Sequence, residues 1–281
     1  MGEQLKVAIQ GEEGSFSHQA ALGLLGNDVK IVPRQSFETL FEAAASGAAD
    51  RAVVPIENSL HGSIHENYDR LKSGNLHIVG ETQLRISHCL IGRPGSSLAS
   101  IRRVASHAVA LSQCRKFFAD RPNVESVVAY DTAGSVKDLL RGDGPATNGA
   151  IASKLAAELY GGKVLLEGIE DDPQNFTRFL LLAREPQAAE KASKTSVVFT
   201  LKNVPGALHR ALAVFALRGV DLAKIESRPL RGRPWEYAFY LDYLGDPLGP
   251  AGEALLDLRS LSEELRVLGS YPEGLKPRTA A

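Results

Sequence analysis

Short apolar runs alternate with stretches of helical spacing through the first two thirds of the chain. Leu5–Gln10 reads as a strand and Gly11–Gly14 as a tight turn. Ser15–Gly26 then reads as a helix with a serine cap and a glycine stop. Val29–Arg34 is the next strand. Ser36–Gly47 is a second helix, with Phe37, Leu40, Phe41 and Ala44 at helical spacing. Arg51–Ile56 completes a βαβαβ run, the pattern of a mostly parallel sheet covered by helices. A second such region follows: strands at Leu84–Gly92, Ile101–Ala105, Val124–Ala129 and Thr177–Ala183, and helices at Ala108–Ala119, Thr132–Leu140 and Ala150–Leu159. Two α/β lobes are therefore expected within residues 1–184, with strand-end loops from both around a shared cleft.

The pattern changes after Ala183. Residues 185–194 are polar without an apolar stripe and suit a linker. The stretch 195–272 then reads as a compact βαββαβ unit, a ferredoxin-like plait. Its strands are Thr195–Leu201, Val220–Arg228, Trp235–Leu244 and Arg266–Tyr271. Its helices start near Pro205 and Pro250, and the turn 231–234 separates the middle strands. That architecture alone says little about function.

Composition narrows the picture. The 281 residues are 44% hydrophobic and 23% charged, the balance of a folded protein with a sizeable core. Lys and Arg number 32 against 33 Asp and Glu, so no basic excess points to nucleic acid. No apolar run approaches a membrane span, and the N-terminus carries no secretion pattern, so a cytoplasmic protein is expected. Two unpatterned cysteines, Cys89 and Cys114, give neither a disulfide framework nor a zinc site. His61 and His65 are four apart, but the metalloprotease pattern needs its Glu directly after the first His. No metal and no cofactor are expected. Gly11–Gly14 is neither a P-loop nor a dinucleotide fingerprint.

Several polar groups stand at strand ends. Pro55-Ile56-Glu57-Asn58-Ser59 leaves the third strand; Asn58 and Ser59 serve as helix caps or, with Glu57, as polar groups at a cleft edge. Thr177-Arg178-Phe179 opens the last apolar strand before the linker. A hydroxyl beside a guanidinium there is unusual for pure packing, because Arg is rarely buried unpaired and can hold a carboxylate. Ser106-His107, Gln113 and Asp131-Thr132 lie at or near helix starts, where free N–H groups favour anions. These features alone specify a two-lobed small-anion site and an appended domain.

Taken in order, the strings resemble the prephenate dehydratases over nearly the whole chain. The matching segments are Glu13-Gly14-Ser15-Phe16-Ser17-His18-Gln19-Ala20-Ala21, Pro55-Ile56-Glu57-Asn58-Ser59, Ser106-His107, Gln113-Cys114, Thr132-Ala133-Gly134 and Asn175-Phe176-Thr177-Arg178-Phe179. The C-terminal unit resembles an ACT domain through Gly206-Ala207-Leu208 and Glu226-Ser227-Arg228-Pro229. The resemblance implies a catalytic region similar to a two-lobed periplasmic binding protein, and a homo-oligomer, dimer or tetramer. It implies a catalytic Thr177 and substrate-site roles for Glu57, Asn58, Ser59, Ser106, His107, Gln113, Thr132, Arg178 and Phe179. It implies a phenylalanine site at the two ACT segments, Glu226–Pro229 facing it from a neighbouring subunit. Two departures stand out: the family commonly has an acidic residue at His61 and an apolar one at His209.

The implied reaction converts prephenate to phenylpyruvate. Decarboxylation drives electrons through the ring and expels its hydroxyl. Thr177 would donate to the departing oxygen, and Arg178 would hold the side-chain carboxylate. The absence of a chorismate mutase segment implies a monofunctional enzyme. Two alternatives stand beside it: an arogenate dehydratase, acting on the aminated substrate, and a non-catalytic amino-acid or anion binding protein.

Overall fold

The computed structural model describes residues 4–143, 146–186, 192–230 and 232–274. Its first strands and helices are β1 (Leu5–Gln10), α1 (Phe16–Leu25), β2 (Val29–Arg34), α2 (Phe37–Ser46) and β3 (Arg51–Asn58). Ser15 and Ser36 cap the two helices by accepting from His18 N and Thr39 N. A short β4 (Gly62–Ser63), α3 (His65–Ser73) and β5 (His77–Arg85) follow. The first sheet runs β2-β1-β3, then β11 (Phe176–Ala183), then β5, with β4 paired on β3. β1 is parallel to both β2 and β3. Val7, Ile9, Leu40, Val53 and Val54 are buried in this lobe.

The second lobe carries β6 (Cys89–Gly92), β7 (Arg103–His107), α4 (Ala108–Ser112), α5 (Arg115–Ala119), β8 (Glu125–Ala129), α6 (Thr132–Arg141), β9 (Gly149–Ala152), α7 (Lys154–Tyr160) and β10 (Lys163–Glu167). Its sheet runs β10-β6-β9-β7-β8 and is mixed: β7 is parallel to β8 and β9, whereas β6 is antiparallel to β9 and β10. Ile91, Ala133, Val136, Ala150 and Ala156 form one side of its core. Leu90, Val104, Phe117 and Ile151 form the other.

The structure corrects two helices read from sequence. Ala150–Leu159 is not one helix: Gly149–Ala152 is a fully buried strand, and Ser153 caps α7 through Ala156 N at 3.1 Å. Apolar Ala-Ile-Ala has no polar face by which periodicity separates a buried strand from a helix. Ala108–Ala119 breaks at Gln113–Cys114 into α4 and α5.

The C-terminal strands are β12 (Lys194–Thr200), β13 (Leu222–Pro229), β14 (Tyr237–Leu244) and β15 (Glu264–Tyr271), and the helices are α8 (Ala207–Ala216) and α9 (Pro250–Leu261). The antiparallel order β13-β14-β12-β15 is that of the expected plait. Val197, Phe199, Phe215, Leu241, Tyr243 and Leu258 make its core. Of the expected linker, residues 187–191 lie outside the described residues, as does Arg231 of the expected turn. Lys194 already belongs to β12 and is buried.

The described residues form two compact units. One takes Thr82–Phe179 with residues 4–67, and the other takes Tyr68–Glu81 with residues 180–274. Tyr68–Glu81 thus groups with the C-terminal plait. Tyr240 Oη donates to Tyr68 O at 2.9 Å, and the rings meet edge to face at 4.9 Å. Arg228 pairs with Asp69 at 2.9 Å, and buried Lys194 pairs with buried Glu81 at 3.0 Å.

Candidate active site

The ends of β1, β3, β7, β8 and β11 and the β5–β6 connection open on one cleft of about 350 Å³ in the first unit. That is within the range of small-molecule sites. Asn58, His107, Gln113, Thr132, Thr177 and Phe179 all line it.

Thr177 is positioned by Asn58. The amide Nδ2 of Asn58 donates to Thr177 Oγ1 at 3.0 Å and also lies 2.7 Å from Asn175 Oδ1 and 3.1 Å from Phe176 O. Its Oδ1 accepts from the backbone N–H of Leu60 and His61, both at 3.0 Å. Donors on one end and acceptors on the other fix which way this amide faces. Asn58 therefore fills an acceptor position on Thr177 and leaves the hydroxyl proton free to be donated. Thr177 and Phe179 are both buried.

A second chain of bonds runs from the first lobe to the second. Gln113 Nε2 lies 3.2 Å from His61 Nδ1, and Gln113 Oε1 lies 2.8 Å from His88 Nε2. With the amide so turned, His88 Nε2 is the donor to Gln113, and His61 Nδ1 lies 3.2 Å from Asn58 Oδ1 as well as from Gln113 Nε2. The Nδ1 of His88 is buried without a partner among the described residues. Burial lowers the pKa of His88, against the opposing effects of Gln113 and Glu170. Phe16 packs edge to face on the same ring at 5.5 Å.

Asp131 lines the same cleft at the start of α6. Its Oδ1 accepts from Gly134 N at 2.7 Å, and its carboxylate also takes the backbone N–H of Glu12. Burial raises its pKa, and the nearby Glu12 carboxylate adds to this. Gly11 stands at φ +90°, and a Cβ there would lie 2.5 Å from Asp131 Oδ2. This turn needs glycine so that the first lobe can approach the second.

Four expected residues do not line the cleft. Arg178 lies between Thr177 and Phe179, and successive strand residues face opposite ways. The two cleft-facing neighbours send Arg178 to the other face. Ser106 is fully buried and donates to Ile151 O at 2.6 Å, holding strand to strand. Ser59 accepts from Phe176 N and donates to Gln174 O, which ties the β3 end to the start of β11. Glu57 faces Ser63 across the β3–β4 pair. His107 lines the cleft and also caps α4, with Val109 N 3.3 Å from its Nδ1.

Sequence reasoning missed His88 and Tyr130 as cleft residues and took Asp131 only as a helix start. A lone histidine between two strands carries no motif. Asp131 carries the N-cap signature, which hides a second use.

The C-terminal unit holds a separate cavity of about 320 Å³ lined by Gly206, Ala207, Leu208, His209, Trp235 and neighbours. Gly206 is left-handed at φ 75°. Trp235, at φ 69°, is the sole non-glycine residue with positive φ among those described, and it is 79% exposed. Glu226, Ser227, Arg228 and Pro229 lie on β13 and do not line this cavity.

Among the described residues, no group of three or more His, Cys, Asp or Glu could hold a metal ion, and no helix is long and apolar enough to cross a membrane.

Comparison with known proteins follows the same division. The prephenate dehydratase family model matches residues 7–187, and the ACT domain model matches residues 195–246. The chain is 45% identical over 285 residues to arogenate dehydratase/prephenate dehydratase 2, chloroplastic, of Arabidopsis thaliana, over 96% of this chain and 74% of that protein. A prephenate dehydratase of Arthrobacter aurescens, solved in complex with L-Phe, superposes with a TM-score of 0.86 at 36% identity, over 95% of this chain and 90% of that one. The structure of GqqA, described as a novel type of quorum quenching acylase, also superposes at 0.86, with 35% identity over 97% and 98% of the two chains.

Proposed function

The chain belongs to the prephenate dehydratase family, whose members are lyases of aromatic amino acid biosynthesis, and we propose that its cleft performs the decarboxylating dehydration of prephenate to phenylpyruvate. The observation that carries this is the Asn58–Thr177 hydrogen bond at the cleft wall. Loss of carbon dioxide sends an electron pair into the ring, and the ring C–O bond breaks as aromaticity forms. Each turnover takes up one proton and releases water. Thr177 donates a hydrogen bond to the departing oxygen as charge develops on it. A threonine hydroxyl is a weak acid, so the proton itself comes from water or another group in the cleft. The ring carboxylate is held loosely, because stabilising it would oppose its loss. Thr132, Gln113, His107 and Phe179 complete the substrate surface.

The domain assignment forms part of the proposal: residues 1–184 catalytic, 185–194 a linker, and 195–272 an ACT domain that senses L-phenylalanine. Gly206, Ala207 and Leu208 form one wall of the effector site. Glu226–Pro229 of a neighbouring subunit forms the other; within one chain these residues do not line the cavity. The protein would then be a homo-oligomer, dimer or tetramer. Cys89 and Cys114 are free and buried, which suits a reducing, cytoplasmic setting. A second reading is arogenate dehydratase, the activity that alone names a Petunia hybrida relative also 45% identical.

The test is direct. Purified protein, exhaustively chelated and without nucleotide, is given prephenate, and phenylpyruvate is followed by chromatography. Turnover is expected. No product from prephenate or arogenate would overturn the assignment.

A further inference from the structure

The cleft has an unusual charge for a site that takes a dianion. Among the described residues that line it, none is Lys or Arg, and the one carboxylate is Asp131. Prephenate carries two carboxylates and no positive group. Arogenate differs by an ammonium in place of the side-chain keto group, so it carries one net negative charge instead of two. A buried carboxylate facing a dianion is repelled by it, and the low-dielectric wall strengthens that repulsion.

We propose that Asp131 is the residue by which this cleft selects the substrate bearing an ammonium group, so that arogenate is turned over in preference to prephenate. The inference rests on the dehydratase reading above and, of its two substrates, puts the second first.

The geometry supplies what such a contact needs. Asp131 is 9% exposed and is held by two backbone N–H groups, from Gly134 and from Glu12. A carboxylate has about four acceptor positions. Two are filled, and the remaining capacity suits a multiple donor such as an ammonium. The other charged or titratable groups that face Asp131 include Glu12, His107, Tyr130 and Tyr160. Glu12 is already paired with Lys137 at 2.9 Å. Arg34 lines an adjoining cavity that Asp131 also borders, outside the lining of the cleft itself. Thr177 and Asp131 stand on different lobes around one cavity. The ring hydroxyl and the side chain of the substrate lie at opposite positions of its ring. Thr177 can meet one while Asp131 meets the other.

An N-cap alone explains one of the two backbone bonds, so the test must separate capping from recognition. Both asparagine and serine cap helices well. In Asp131→Asn and Asp131→Ser the cap persists and the charge is gone. The quantity to measure is kcat/KM for arogenate divided by kcat/KM for prephenate, on the same preparation. General damage to the fold cancels in this ratio. The ratio should exceed one in the wild type. It should fall by about 10–100-fold in both variants, the scale of a charge-assisted hydrogen bond, with kcat/KM for prephenate rising as repulsion is relieved. Asp131→Glu keeps the charge and should retain the preference. A wild-type ratio below one would overturn the proposal, as would variants that slow both substrates equally. Absence of turnover with either substrate in the wild type would instead overturn the dehydratase reading.

Discussion

The cleft and the cavity beside Gly206 are similar in size, about 350 and 320 Å³, but their walls are organised differently. At the cleft, Asn58 orients Thr177, and Gln113 joins His61 to His88, all by bonds within one chain. At the second cavity only one of the two segments expected to form one site lines the wall, and Arg228 of β13 is engaged with Asp69. A reaction centre must hold its donors in place before the transition state forms, since only then is no reorganisation needed. An effector site has the opposite requirement. If a neighbouring subunit completes this site, as proposed, it would bind its ligand in that arrangement alone, and this difference would be the source of coupling.

The largest effect should come from breaking the organised side. Thr177→Ala removes the donor while leaving Asn58 with its other acceptors. A fall in kcat of about 10²–10³ is expected, the scale of losing one oriented donor. Thr177→Ser keeps the hydroxyl and should lose much less. If the alanine variant turns over at a near-normal rate, Thr177 has no part in the chemistry.

The same contrast explains what was legible in the sequence. Strands and helices with an alternating or 3.6-residue apolar pattern and a serine cap, such as α1 and α2, stand where the pattern puts them. The polar helix α3 was missed, because His-Glu-Asn-Tyr-Asp-Arg-Leu-Lys-Ser has almost no apolar stripe. Its place is set by tertiary contacts of Tyr68 and Asp69. Local motifs brought Thr177, Asn58 and Gln113 to the cleft. They could not show that strand alternation turns Arg178 away, nor that His88, distant in sequence, bonds to Gln113. Side-chain direction and long-range pairing are properties of the folded chain.

A medium effect is expected on the effector side. Gly206 adopts φ 75°, and a Cβ there would lie 3.3 Å from Arg210 Nη1. Valine is strained in this region, so Gly206→Val should shift the turn and move Ala207 and Leu208. L-Phenylalanine affinity by calorimetry should weaken by about 10-fold, since one to two kcal/mol of strain acts on the bound geometry. Unchanged affinity would place the effector elsewhere.

The smallest effect returns to the cleft and concerns stability. Burial lowers the pKa of His88 below the ordinary histidine value of about 6.5 and favours the neutral ring. When the folded value is depressed, the unfolded chain binds more protons below that pH. The stability contributed is then fully present above about 6.5 and is lost as pH falls toward the folded value. His18 shifts the same way and Asp131 the opposite way, so wild type alone would mix the three. The difference between wild type and His88→Gln isolates one group. Glutamine can still donate to Gln113 but cannot titrate. At pH 7.5 the variant should be less stable, because it loses the ring that packs on Phe16. By pH 5.5 the gap in urea unfolding free energy should narrow by up to about 1 kcal/mol, the cost of excluding one proton over about one pH unit. A gap that stays constant over this range would mean that His88 takes up its proton as readily in the fold as out of it.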